Sequence, residues 1–175
     1  LDAGARRVNA QLAREPQLAL RFADVLGGIY TALGQYDRAI ALAGAALAAH
    51  GDADDGARAA LQARLGRAQY EKGDYAAAAQ SADAALAAHR RLDGERSATV
   101  ASDLALAGEI TRRQGDFARA EPLLEQALAL SRATLATPHA QIAAHLNQLA
   151  ALRQDQRRVA DGGELTEQAL AMFRA

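Results

Sequence analysis

Four histidines, His50, His89, His139 and His145, are the first residues to test for chemistry, because two rings on one helix face could hold a metal ion. Such a pair needs a spacing of three or four residues. His139 and His145 are six apart, which places them on different faces of one helix. His50 and His89 occupy corresponding places at the expected ends of two helices, where a cation-capable ring suits the dipole. The stretch GDADDG (51–56) has the carboxylate density of a calcium loop. The twelfth residue from Asp52 is Ala63, however, where such a loop needs a bidentate Glu, so a polar turn is the better reading. Gly27-Gly28 lacks the third glycine and the strand of a dinucleotide fingerprint. There is no Gly-rich phosphate loop, no Ser-centred elbow and no cysteine. The residues therefore supply no catalytic, metal-binding or cofactor-binding set, and no enzyme is expected.

The elements behind these residues follow from composition. Of 175 residues, 48 are Ala and 24 Leu, while Ile, Val and Phe together number 11. Ala and Leu favour helix and β-branched residues are scarce, so the chain is expected to be all-α. A net charge of −1, with no basic run of five, gives no footprint for nucleic acid or an anionic membrane surface. No apolar stretch approaches the roughly 20 residues that span a bilayer. The start has neither a signal core nor Met, and reads as a piece of a longer soluble protein. The lack of cysteine fits a reducing compartment, so a cytoplasmic location is expected.

A repeat lies within the alanines. LGQYDRA (33–39), KGDYAAA (72–78) and QGDFARA (114–120) share Gly, an aromatic residue two on, and Ala three further. Tyr36 to Tyr75 is 39 residues and Tyr75 to Phe117 is 42; another 42 reaches Val159. Gly27, Gly66, Gly108 and Ala150 each stand nine before these landmarks. Ala46, Ala85, Ala127 and Ala169 stand ten after them, each followed by Leu. Each unit reads as two helices around a tight turn, with Gly73 as a helix stop, Asp74 as the next cap and Tyr75 packed across the turn. The alanines let helix axes approach closely. The fourth unit departs from the pattern, with Arg157 for the turn Gly and Val159 for the aromatic residue. Gly162-Gly163 is expected to make its second helix start late or fray, and Pro122 to bend the second helix of the third unit.

LGRAQYEKGDYAAAAQSADAALA (65–87) resembles the tetratricopeptide repeat (TPR), which places Leu-Gly and Tyr in a first helix, Gly-x-Tyr at the turn and Ala twice in the second. The TPR period is about 34 residues; the longer steps here resemble kinesin light chains and many bacterial TPR proteins. HAQIAAHLNQLA (139–150) and AEPLLEQALAL (120–130) are similar to segments of those repeats. The resemblance implies a right-handed TPR superhelix, an α-solenoid, formed as a single TPR domain over 1–175. Its parts would be a leading helix over 1–15 (with Val8 and Leu12 apolar), then repeats at 16–53, 54–94, 95–136 and 137–175. Residues 1–39 also resemble the lead-in to TPR arrays that follow the catalytic domain of some bacterial serine/threonine kinases.

The resemblance further implies that first helices line a concave groove. The groove positions lie six and three residues before the small crossing residue, then one, four and five after it. They hold Arg21, Asp24, Arg67, Tyr70, Glu71, Ser102, Glu109, Arg112, Arg113, Asn147 and Asp155, with Arg64 and Gln148 flanking. The set is rich in Arg, with Tyr70 expected to be exposed beside it. Arg forks suit carboxylates and Tyr anchors interfaces, so a protein or acidic peptide is the expected partner. Asn147 would bond its backbone. The alternative is that i,i+4 pairs such as Arg67–Glu71 and Glu109–Arg113 neutralise a solvated surface. A second functional class is self-association through the C-terminal EQALAMFRA, with Met172 and Phe173 uncovered unless a further repeat packs there.

Overall fold

The structure, a computed structural model, describes residues 15–50 and 55–174. Eight helices and no strands occur among these residues: α1 (Pro16–Ala32), α2 (Tyr36–Ala49), α3 (Asp55–Lys72), α4 (Tyr75–Asp93), α5 (Ala98–Arg113), α6 (Phe117–Thr134), α7 (Ala140–Asp155) and α8 (Val159–Arg174). The leading helix expected over 1–15 lies outside them apart from Glu15, which precedes α1 at its N-cap. The same holds for most of the GDADDG turn.

The helices pair through turns of one design. At Gly73 and Asp74 the backbone N–H groups donate to the carbonyls of Tyr70 and Gln69, both at 2.9 Å. This is the doubly bonded C-terminal cap that needs a left-handed residue, and Gly73 supplies it at φ 90°. Asp74 Oδ1 then accepts from Ala77 N–H at 3.2 Å and caps α4; Asp116 does the same for α6 from Arg119 N–H. The fourth turn makes the same two bonds with Arg157 at φ 61°. A non-glycine residue there costs about 1–2 kcal/mol, so this turn is kept at the expense of local strain.

Two compact units divide the chain, residues 1–88 and 89–175. In the first, Leu20, Ala23, Ala43, Ala57 and Leu61 form the core, with Leu42, Leu47 and Leu65 packed on it. α3 and α4 approach closely at Gly66, where an added Cβ would lie 3.3 Å from Ala82 N and 3.4 Å from Ala78 O. In the second, Ala120, Leu124, Leu128, Ile142, Leu146, Leu149 and Leu152 form the core, with Phe117, Leu135, Leu165 and Met172 against it.

One sequence expectation is corrected. Gly162-Gly163 neither delays nor frays α8, which runs from Val159 to Arg174. A Cβ on Gly162 would lie 3.1 Å from Ala150 O and 3.2 Å from Gln154 Cγ, so the helix propensity lost there is offset by close packing of α8 on α7. Pro122 lies inside α6 without ending it; its missing donor falls only one turn into the helix.

Candidate binding surface

The expected groove residues fall on first helices of both units, and each unit is built differently. In the first unit, Arg64 on α3 reaches α1, where its Nε donates to Asp24 Oδ1 at 2.9 Å. The floor beneath it is Gly27-Gly28: a Cβ on Gly28 would lie 3.3 Å from the Arg64 guanidinium carbon, and one on Gly27 would lie 3.3 Å from Arg64 Cγ. The glycine pair, no nucleotide loop, is the bed of an arginine. One turn on, the Arg67 guanidinium lies 5.7 Å from the Tyr70 ring centroid and 3.6 Å from Glu71 Oε1. Tyr70 was expected to be exposed; it is half-buried, because its ring packs against Tyr75 across the turn at 5.9 Å. Arg21 is exposed on α1.

In the second unit the arginine of the groove is enclosed. The Arg112 side chain is 10% exposed, and its Nε and Nη2 donate to the two oxygens of Glu109 at 3.1 and 3.2 Å. Its Nη1 donates to Asp155 Oδ2 on α7 at 2.5 Å. Burial alone would lower the pKa of this guanidinium; its hydrogen bonds to Glu109 and Asp155 outweigh that and raise it further. Gln141 Nε2 ties α7 to α5 again, donating to Ser102 Oγ at 2.6 Å and to Ala98 O at 3.0 Å. Arg113 and Asn147 are exposed. Arg64 and Arg112 thus both bridge neighbouring first helices through a carboxylate, and Arg67 holds the loosest of the three arginine ion pairs.

Several groups were missed by the sequence reading. His89 is not at a helix end: it lies four residues inside α4, buried, with Nδ1 2.5 Å from Asp103 Oδ2. Burial pushes the Asp103 carboxyl up, while the hydrogen bond from His89 pulls it back. His145 is buried with Nδ1 2.8 Å from Ser131 Oγ. Burial lowers its pKa, partly opposed by a backbone hydrogen bond at Ala127. Ser131 is 0% exposed, so this Ser–His contact is closed to any substrate. The signal for both pairs was their shared spacing of 14 residues. Arg153, also buried, binds Glu121 and Glu125; Gln156 and Arg153 together hold Glu121 below the usual carboxylate range. Among the described residues, no three His, Asp or Glu side chains converge as a metal site. No described helix is long and apolar enough to cross a membrane.

The tetratricopeptide repeat profile matches residues 24–57 and 57–133, together more than half of the chain. No curated protein matches the sequence. BtubC (BKLC) from P. vanneervenii has a similar fold, with TM-score 0.77 and 22% identity over 99% of this chain and 75% of that one. A Q17M form of a kinesin light chain repeat protein from Podosopora anserina gives TM-score 0.72 and 23% identity, over 95% and 82%. The apo form of RapI gives TM-score 0.78 at 13% identity, over 95% of this chain and 61% of that one. At these identities the likeness is one of fold, an all-α TPR fold with kinesin-light-chain-like repeats, which serves as a scaffold for protein–protein contact. The chain belongs to the tetratricopeptide repeat family.

Proposed function

We propose that the chain is an interaction module whose first-helix faces hold a peptide of acidic character. Arg67 and Tyr70, both on α3, are its main contacts. The observation that carries this reading is the Arg67–Tyr70 pair. Arg67 leans over an aromatic ring and has Glu71 only at 3.6 Å, half in solvent. An exposed pair of that kind is worth about 0–1 kcal/mol, so an incoming carboxylate displaces Glu71 at little cost. Arg64 and Arg112 are committed to Asp24, Glu109 and Asp155, and they set the spacing of the first helices. The likeness of residues 1–39 to TPR segments behind bacterial kinase domains supports a place in a signalling chain, as its regulatory or substrate-recruiting part.

Calorimetric titration with acidic and charge-neutral peptides of one length tests the reading. Arg67→Ala/Tyr70→Ala lowers affinity for the acidic peptide by about tenfold or more. Equal affinity of wild type and variant, or equal affinity for both peptides, refutes it.

A second reading, self-association through the C-terminal helix, is favoured by one observation. Met172 packs on the core, but Leu170 and Phe173 stand exposed on α8.

A further inference from the structure

The first described helix has an open face of its own. Leu18, Phe22, Val25, Ile29 and Leu33 are all exposed, at spacings of three and four, so they form one stripe along α1. Single exposed apolar residues are ordinary, but a contiguous stripe marks a contact.

The repeat register says what kind. Five residues before the crossing residue stand Phe22, Leu61, Asp103 and His145. Two residues after it stand Ile29, Ala68, Ile110 and Leu152. In the last three repeats all six of these residues are buried, Leu61, Ala68 and Leu152 completely; in the first, Phe22 is 42% and Ile29 is 49% exposed. The second helices behave in mirror fashion. Eleven residues after the turn landmark, Leu86 and Leu128 are buried while Leu170 is open. Fourteen after it, His50 is half-buried and His89 and Ser131 are buried, while Phe173 is 66% exposed. The two positions meet where the structure shows them: His89 pairs with Asp103 and Ser131 with His145. Both of these contacts are polar on both sides. The two open positions, Phe173 and Phe22, are aromatic on both sides.

We propose that α8 of one copy packs on α1 of a second copy as one more repeat junction, with Phe173 against Phe22 and Leu170 beside Ile29. This rests on the self-association reading and names its partner face. A second copy is the occupant that covers both open faces with one contact, and that contact sets two apolar rings against each other. The contact joins different surfaces of the two copies, so each addition leaves a free face at either end and the assembly grows without closing at the dimer.

Analytical ultracentrifugation of the full chain over a concentration series tests this, with Phe22→Asp and Phe173→Asp as variants. Both residues are exposed, so the circular dichroism spectrum of each variant stays as in wild type. The expected result is a wild-type mass that rises past the dimer with concentration, and a monomer for each variant alone. An equimolar mixture of the two variants forms dimers and stops there, because each supplies the intact face the other lacks. A wild type that stays monomeric, whether residues 1–14 or another segment covers α1, overturns the proposal and the self-association reading together. A self-associating wild type with one or both variants unaffected, or a variant mixture that stays monomeric, overturns the Phe22–Phe173 junction and leaves the broader reading standing.

Discussion

Arg112→Ala tests whether this arginine serves the fold. The substitution removes both hydrogen bonds from Arg112 to Glu109, whose side chain is 9% exposed. Removing one partner of a buried ion pair costs about 3–5 kcal/mol. The lower end applies here, because Asp155 is 41% exposed and regains water when it loses Arg112. A loss near 3 kcal/mol lowers Tm by roughly 6–12 °C in a chain of this size. Arg67→Ala, by contrast, breaks a half-exposed pair and costs under about 1 kcal/mol. Urea unfolding at neutral pH, followed by circular dichroism, measures both. The double variant Glu109→Leu/Arg112→Leu recovers most of the loss, since no charge is then left buried. An Arg112→Ala variant within about 1 kcal/mol of wild type refutes the reasoning and returns Arg112 to the set free to meet a ligand. So does a double variant as unstable as the single one. If the expected loss is found, weakened peptide binding by Arg112 variants reports unfolding of the α5–α7 contact, and Arg67 is the proper probe.

Two further outcomes follow from packing and charge. Gly163→Ala stabilises α8 by up to about 1 kcal/mol through helix propensity, since a Cβ there meets nothing within 4 Å. Gly162→Ala gains the same propensity but sets a Cβ 3.1 Å from the immobile Ala150 carbonyl, an overpacking that costs about 1–3 kcal/mol; urea midpoints that rank the two variants in the reverse order refute the close-packing account. Burial depresses the pKa of His145 in the fold, so below about pH 6.5 the unfolded chain binds the extra proton and stability falls as pH drops. Ser131→Ala/His145→Leu flattens the fall in Tm between neutral pH and about pH 5.5, and an unchanged pH profile counts against a neutral, buried His145.

Much of the fold could be read from short-range pattern. The Gly73-Asp74-Tyr75 turn acts as its residue types dictate: a left-handed stop, a cap and a ring packed across the turn. Those roles depend on a handful of neighbouring residues, and sequence displays neighbours directly. Gly162 was misread for the same reason. Its propensity cost is local and visible, while the compensating approach of α8 to Ala150 joins residues 12 apart and is not. His89 was misread because its polar seat lies on another helix, and nothing near it in sequence announces Asp103.

The surface shows the division most sharply. Periodicity and a repeated glycine-aromatic spacing determined that the chain is an array of helix pairs, whose motifs resemble the TPR, since helix propensity and turn chemistry are properties of consecutive residues. The sequence also placed the charged residues on first helices. Which arginines are bridged to a neighbouring first helix and which are not was decided by tertiary structure alone. Arg64, Arg67 and Arg112 are the same side chain on like helices. They differ in whether a carboxylate from another helix lies within hydrogen-bond reach, and Arg112 differs also in being largely closed to water.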